Sequence, residues 1–152
     1  APFIKPTFSF GDDKELMNYL ISSKKDVYPL IWMIYPINEE HRVIEKRVKL
    51  ENVSFILAVK TNDYFLNKER FITNYKKLLI PLYNNFVELL EKSNIVNLAE
   101  EINLIKYPNY SNENNNNENA TIDIWDAIKI TISCTISKAH FRNNIRFTKN
   151  NN

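Results

Sequence analysis

The clearest periodicity in the chain lies between Phe71 and Leu90. Phe71, Tyr75, Leu78, Leu79, Leu82, Phe86, Leu89 and Leu90 recur at helical spacing, and Lys68, Glu69, Lys76 and Lys77 fall on the opposite face. The spacing predicts a helix from about Leu66 to Glu91. Pro81 sits in its middle and removes a backbone donor at a cost of about 3 kcal/mol unless the helix kinks or restarts, so a bend is expected near Leu78. Strict alternation is the second pattern. From Thr121 to Ile136 it puts Ile128, Ile130, Ile132 and Cys134 on one face and Lys129, Thr131, Ser133 and Thr135 on the other. This is the clearest strand. Asp126 interrupts its apolar face and Trp125 and Ala127 its polar one, which predicts a bulge or an edge where Asp126 meets hydrogen-bond donors.

Weaker patterns fill the rest. Val27 to Pro36 is a β-branched and aromatic run bounded by prolines, as expected of a strand buried on both faces. Asn38 to Arg42 reads as a polar turn. A charged stretch with Val43, Val48 and Leu50 then leads into alternating Val53, Phe55, Leu57 and Val59, completing an antiparallel meander. Within it Glu45, Lys46, Arg47, Lys49 and Glu51 mix both signs, the pattern of a solvated edge or β-arm. Residues 1–11 read as an extended N-terminal arm, because Pro2 and Pro6 disfavour helix among Phe3, Ile4, Phe8 and Phe10. Such an arm either pads its own domain or crosses to a neighbour. Asp12 or Asp13 then caps a short helix that ends near Ser22. Ile95 to Tyr107 is apolar but ambiguous in state, residues 111–120 form an Asn-rich flexible loop, and residues 138–152 form a basic C-terminal tail. The sum is a single α+β domain. It is expected to hold an antiparallel sheet of about four strands, with the short N-terminal helix and the long Pro-containing helix packed on one face.

Composition narrows the chemistry. A chain of 152 residues has room for one core. Its one glycine, Gly11, excludes glycine-rich phosphate cradles, which need several residues without a Cβ. A lone Cys134 forms no internal disulfide, and His41 and His140 lack any metal-ligand spacing, so no metal or cofactor is expected. The longest apolar run is shorter than the roughly 20 residues a membrane span requires, and no signal peptide precedes it, which points to synthesis in a reducing cytoplasm. Catalytic candidates are few: Cys134 with either histidine, Asp123 with Asp126, and Glu100 with Glu101. Cys134 falls on an apolar register, where a thiol is inert by default. In a regular strand Asp123 and Asp126 face opposite ways, and only a bulge would let them share a proton or a metal. No enzymatic activity is expected.

Charge is unevenly placed. From Lys129 onward the chain carries +5 and no acid, whereas the residues before it sum to −3. Phe141, Ile145 and Phe147 interleave with Arg142 and Arg146, and aromatic anchors beside arginine are interface composition. The alternative partner for such a tail is nucleic acid. With no base-reading signature in the sequence, contact with DNA would be weak and non-specific.

The order of elements, together with Tyr28-Pro29-Leu30-Ile31-Trp32, Asn67-Lys68-Glu69-Arg70, Leu79-Ile80-Pro81-Leu82-Tyr83 and Thr121 to Ile128, resembles the small neck and tail-ring subunits of tailed bacteriophages. Abundant Asn, Ile, Lys, Tyr and Phe with scarce Gly, Ala and Arg is the usage of AT-rich genes, similar within that group to the crAss-like gut phages. The resemblance covers about Asp12 to Ile136. It implies a tail-terminator-like or connector fold and a structural virion protein, assembled in the host bacterial cytoplasm as a homo-oligomeric ring that joins head and portal to tail around the DNA channel. The implied partners are identical copies and other neck or tail proteins: portal, adjacent rings and tail hub. The residues expected at such interfaces are Phe3, Phe8, Phe10, Arg47, Lys49, Phe141, Arg142, Arg146 and Phe147. The competing reading is a small non-enzymatic binding protein whose basic C-terminal tail contacts nucleic acid, and particle size by light scattering separates the two.

Overall fold

A computed structural model describes residues 5–22, 26–62, 64–110 and 123–137. Strand β1 (Thr7–Gly11) leads into helix α1 (Asp13–Ser22), followed by β2 (Leu30–Ile34), β3 (Asn38–Arg42) and β4 (Arg47–Lys60). A long helix then runs as α2 (Asn67–Arg70), a π-helical segment (Phe71–Leu79) and α3 (Ile80–Lys92), before β5 (Val96–Leu98), β6 (Asn103–Tyr110) and β7 (Trp125–Ser137). All seven strands among the described residues join one sheet. Its spine is β1-β2-β4-β7-β5, with β3 also on β4 and β6 also on β7.

The sheet is not the expected antiparallel arrangement of about four strands. β1 runs parallel to β2, from Thr7 opposite Leu30 to Gly11 opposite Ile34, because α1 carries the chain back to the starting end as a crossover must. Residues 7–11 of the anticipated arm are thus the edge strand of the chain's own sheet. Pro6 lies just before the first paired residue, where an edge strand tolerates it. Asn38–Arg42 is likewise a strand, not a turn. All five of its residues are exposed, so it lacks the apolar alternation that marks a half-buried strand, and it is held by backbone pairing to β4. β5 and β6 supply the remaining two strands, in the region whose state the sequence left ambiguous.

Helices cover both faces, which corrects the one-sided packing expected. The long helix lays Tyr75, Leu79, Leu82 and Phe86 on Ile31, Val53, Phe55, Leu57, Ile128 and Ile130. α1 lays Leu16 on Leu30, Trp32, Ala58, Trp125 and Ala127. Trp125 and Ala127 therefore break the polar register of β7 because α1 roofs that end of the sheet. Burial of each large aliphatic such as Leu57, Leu79 or Ile128 contributes about 1.5–3 kcal/mol.

Local chemistry sets the element ends. Asp12 and Glu15 form a reciprocal capping box: the Glu15 N–H donates to Asp12 Oδ1 and the Asp12 N–H to Glu15 Oε2, each at 2.8 Å. Gly11, just before the cap, has φ +149°, and a Cβ there would lie 2.2 Å from Glu15 Oε2. At Pro81 the helix changes type. The Ile80 N–H bonds the Tyr75 carbonyl five residues back, closing the π segment, and Pro81 stands at the start of α3, where its missing donor is least needed. The restart falls between Leu79 and Ile80, one residue beyond the expected bend.

Candidate interaction surfaces

The polar break in β7 is densely hydrogen-bonded. Asp126 is 0% exposed and lies on the long-helix side of the sheet. Arg70 Nη1 donates to its Oδ1 at 2.5 Å, Asn74 Nδ2 donates to its Oδ2 at 2.6 Å, and the Asn109 backbone N–H donates to Oδ1 at 3.0 Å. Arg70, itself 4% exposed, also donates to Thr61 Oγ1 and to the Phe65 carbonyl at 2.9 Å. The expected donors are present, and so is a bulge, although it belongs to the partner strand. Pairing of β6 with β7 slips between Tyr107 and Tyr110, opposite Asp126, and Asn109 takes a left-handed φ of 52° there. Asp126 therefore sits in an interior strand as an internal strut joining β7, the β4–α2 loop, the helix and β6. No buried side-chain polar atom among the described residues lacks a partner.

A second polar cluster lies around Tyr28. Its hydroxyl donates to Asp123 Oδ2 at 2.9 Å and accepts from Trp125 Nε1 at 2.6 Å, while Lys60 pairs with Asp123 Oδ1 at 3.4 Å. Burial, reinforced by Asp123, pushes the Tyr28 phenol far above its ordinary value, and burial beside Asp126 lifts that of Tyr75 to about 12. Both hydroxyls are protonated hydrogen-bonding groups at neutral pH. Asp123 and Asp126 share no partner, so they form no two-carboxylate site.

The other catalytic candidates do not converge either. Cys134 is buried, and burial raises its thiol pKa, the reverse of an activated nucleophile. His41 bonds Glu39 on the exposed β3, and Glu100 and Glu101 are both exposed between β5 and β6. His140 lies outside the described residues. Among the described residues no three His, Cys, Asp or Glu side chains group as metal ligands would, and no helix is long and apolar enough to cross a membrane.

What the surface does offer is apolar. Phe8 and Phe10 lie on one side of edge strand β1, 54% and 56% exposed, with Phe10 against the half-covered ring of Tyr35 at 5.5 Å. Beside them, between β1–β2 and α3, runs a groove of about 480 Å³ whose walls include Pro6, Ile31, Leu82, Phe86 and Leu89. At the β3–β4 turn, Val43 and Ile44 project almost completely into solvent, Ile44 being 97% exposed. The turn is flanked by Arg42, Lys46 and Arg47. Arg47 is exposed and has no ionic partner among the described residues, whereas Lys49 is held by Glu51 at 2.6 Å, which also keeps the Glu51 carboxyl below its usual range. Of the interface residues expected from sequence, Phe8, Phe10, Arg47 and Lys49 are thus placed on two separate surfaces. Phe3, Phe141, Arg142, Arg146 and Phe147 lie outside the described residues, as do the Asn-rich loop and the basic tail. The groove and the Val43–Ile44 tip were not anticipated. The tip had a legible signal, two β-branched residues inside a charged hairpin, but the groove arises only when α3 packs beside β1. No protein-family model matches the chain, and no curated protein matches it.

Proposed function

We propose that the chain is a non-enzymatic structural subunit that works as a homo-oligomer, the ring of a phage neck or tail that surrounds the DNA channel and joins head to tail. The observation that carries the homo-oligomeric reading is that one molecule bears two unlike exposed apolar surfaces, the β1 edge with its groove and the β3–β4 tip. Exposed aromatic and aliphatic side chains gathered next to a concave groove are characteristic of contact sites. Two different patches on identical copies generate head-to-tail contacts, which close into a ring when the rotation divides the circle. Placement in a virion rests on the sequence resemblance. Quantitative mass spectrometry of purified virions tests the proposal: the chain should be present in a fixed copy number equal to a ring multiple, six or twelve. Absence from purified virions would contradict it, and so would a copy number that varies between preparations.

A further inference from the structure

We propose that the cleft between the start of α1 and β6 is a binding site for a small zwitterion with an apolar body, of which a free aliphatic α-amino acid is the simplest example. The cleft is separate from the β1 edge and the β3–β4 tip, and the proposal does not depend on the ring reading. Its volume is about 240 Å³, below the roughly 300–1,000 Å³ of drug-sized sites, which limits the occupant to about the size of one amino acid. The floor is apolar, formed by Ile34 of β2, Ile56 of β4 and Ala127 of β7. One wall holds two tyrosine rings. Tyr107 and Tyr110 are three positions apart on β6, so a regular strand would send them to opposite faces. The slip in pairing between them, with Asn109 left-handed, brings both rings to the α1 side. Tyr110 stacks on Trp125 at 6.1 Å and meets Tyr107 edge-on at 5.5 Å, so packing fixes the pair. The slip that gives Asp126 its backbone donor therefore also builds this wall.

Two opposite charges complete the lining. Lys129 stands in the interior strand β7 between Ile56 of β4 and Ile105 of β6, half-buried and with no carboxylate opposite it on either neighbour. Asp13 stands in the first turn of α1, outside the Asp12–Glu15 capping box. Neither has an ionic partner among the described residues, and they do not pair with each other. In the neighbouring cluster, by contrast, Tyr28, Asp123 and Lys60 satisfy one another. Burial and the nearby Asp13 carboxylate push the Tyr110 phenol upward, so it is a hydrogen-bond donor at neutral pH. A cation alone would meet Lys129, and an anion alone would meet Asp13. A zwitterion answers both: its ammonium goes to Asp13 and the tyrosine rings, its carboxylate to Lys129, and its apolar body to the isoleucines.

The test is isothermal titration calorimetry of the full chain with L-leucine. Saturable one-to-one binding is expected, weakened about tenfold or more by Lys129→Met and by Asp13→Asn, each of which removes one charge-assisted contact. Leucinamide lacks the carboxylate and N-acetyl-leucine the ammonium. Each should bind the intact chain about tenfold more weakly than leucine does, and leucinamide should not distinguish the intact chain from Lys129→Met. Thermal unfolding checks the fold of both variants. Asp13 is exposed and outside the cap, so Asp13→Asn keeps the test standing even if Lys129→Met unfolds. No saturable heat with millimolar leucine would overturn the proposal. So would equal affinity for leucine and leucinamide, because the site would then read a cation alone, or an affinity for leucine that Asp13→Asn leaves unchanged.

Discussion

Replacing Arg70 with methionine tests whether the Asp126 cluster is the strut that its geometry describes. Methionine keeps most of the aliphatic volume and removes the guanidinium. A buried carboxylate that loses its only charged partner destabilises a fold by about 3–5 kcal/mol. Asp126 would keep two donors, Asn74 Nδ2 and the Asn109 N–H, which places the loss of the ion pair near the lower end of that range. The part-buried Phe65 carbonyl would lose the guanidinium as well, and a hydrogen bond of that kind contributes about 1 kcal/mol. The total expected is about 4 kcal/mol. Urea unfolding reads it as a fall in midpoint with the slope unchanged. Adding Asp126→Asn to Arg70→Met should recover part of the loss, because the unpaired charge is then gone, and measuring Asp126→Asn alone as well completes the cycle that gives the coupling between the two residues. A loss below about 1 kcal/mol, the range of an exposed ion pair, would refute the reasoning, as would a double variant no more stable than Arg70→Met alone.

Three further outcomes are expected. Gly11→Ala should destabilise by about 1–3 kcal/mol in thermal unfolding, because its φ of +149° suits glycine and the added Cβ meets the Glu15 side chain of the α1 cap. The Tyr75 phenol is raised in the folded state above its unfolded value of 10.0, so its contribution to stability is complete below pH 10 and is lost as pH rises toward 12; ultraviolet titration should show Tyr75 and Tyr28 ionising only as the fold opens, and all eight tyrosines titrating near 10 in a folded chain would contradict this. Replacing Phe8 and Phe10 together with serine should change unfolding free energy by less than about 1 kcal/mol, as befits half-exposed positions, while abolishing incorporation into particles; normal incorporation would remove β1 from the interface.

Elements with strong apolar periodicity were legible in the sequence. The long helix and β7 follow from spacing alone, and Asp126 announced itself as a polar break that required donors. Its partners did not. Arg70 and Asn74 look like surface residues of an amphipathic helix until the π segment and the β4–α2 loop fold them under, so their burial is a tertiary result. β3 was missed because backbone pairing to β4, and no apolar face, makes it a strand. β1 was missed for a different reason: its phenylalanines and prolines are equally consistent with an arm, and only the parallel crossover through α1 puts it in the sheet. The same long-range packing makes the groove, since Pro6 and Ile31 come from one part of the chain and Leu82, Phe86 and Leu89 from another. Phe8 and Phe10, expected at an interface from aromatic content alone, lie half-exposed on β1. The concave surface beside them requires knowing which elements are neighbours.

The most direct measurement is a reconstruction of the native virion at a resolution that traces side chains. The account predicts a closed ring of identical copies of this chain around the DNA channel, each touching its neighbour through unlike surfaces, with Phe8, Phe10 and the β1–α3 groove on one side of every contact. Scattered single copies of the chain, or a particle without it, would contradict the account.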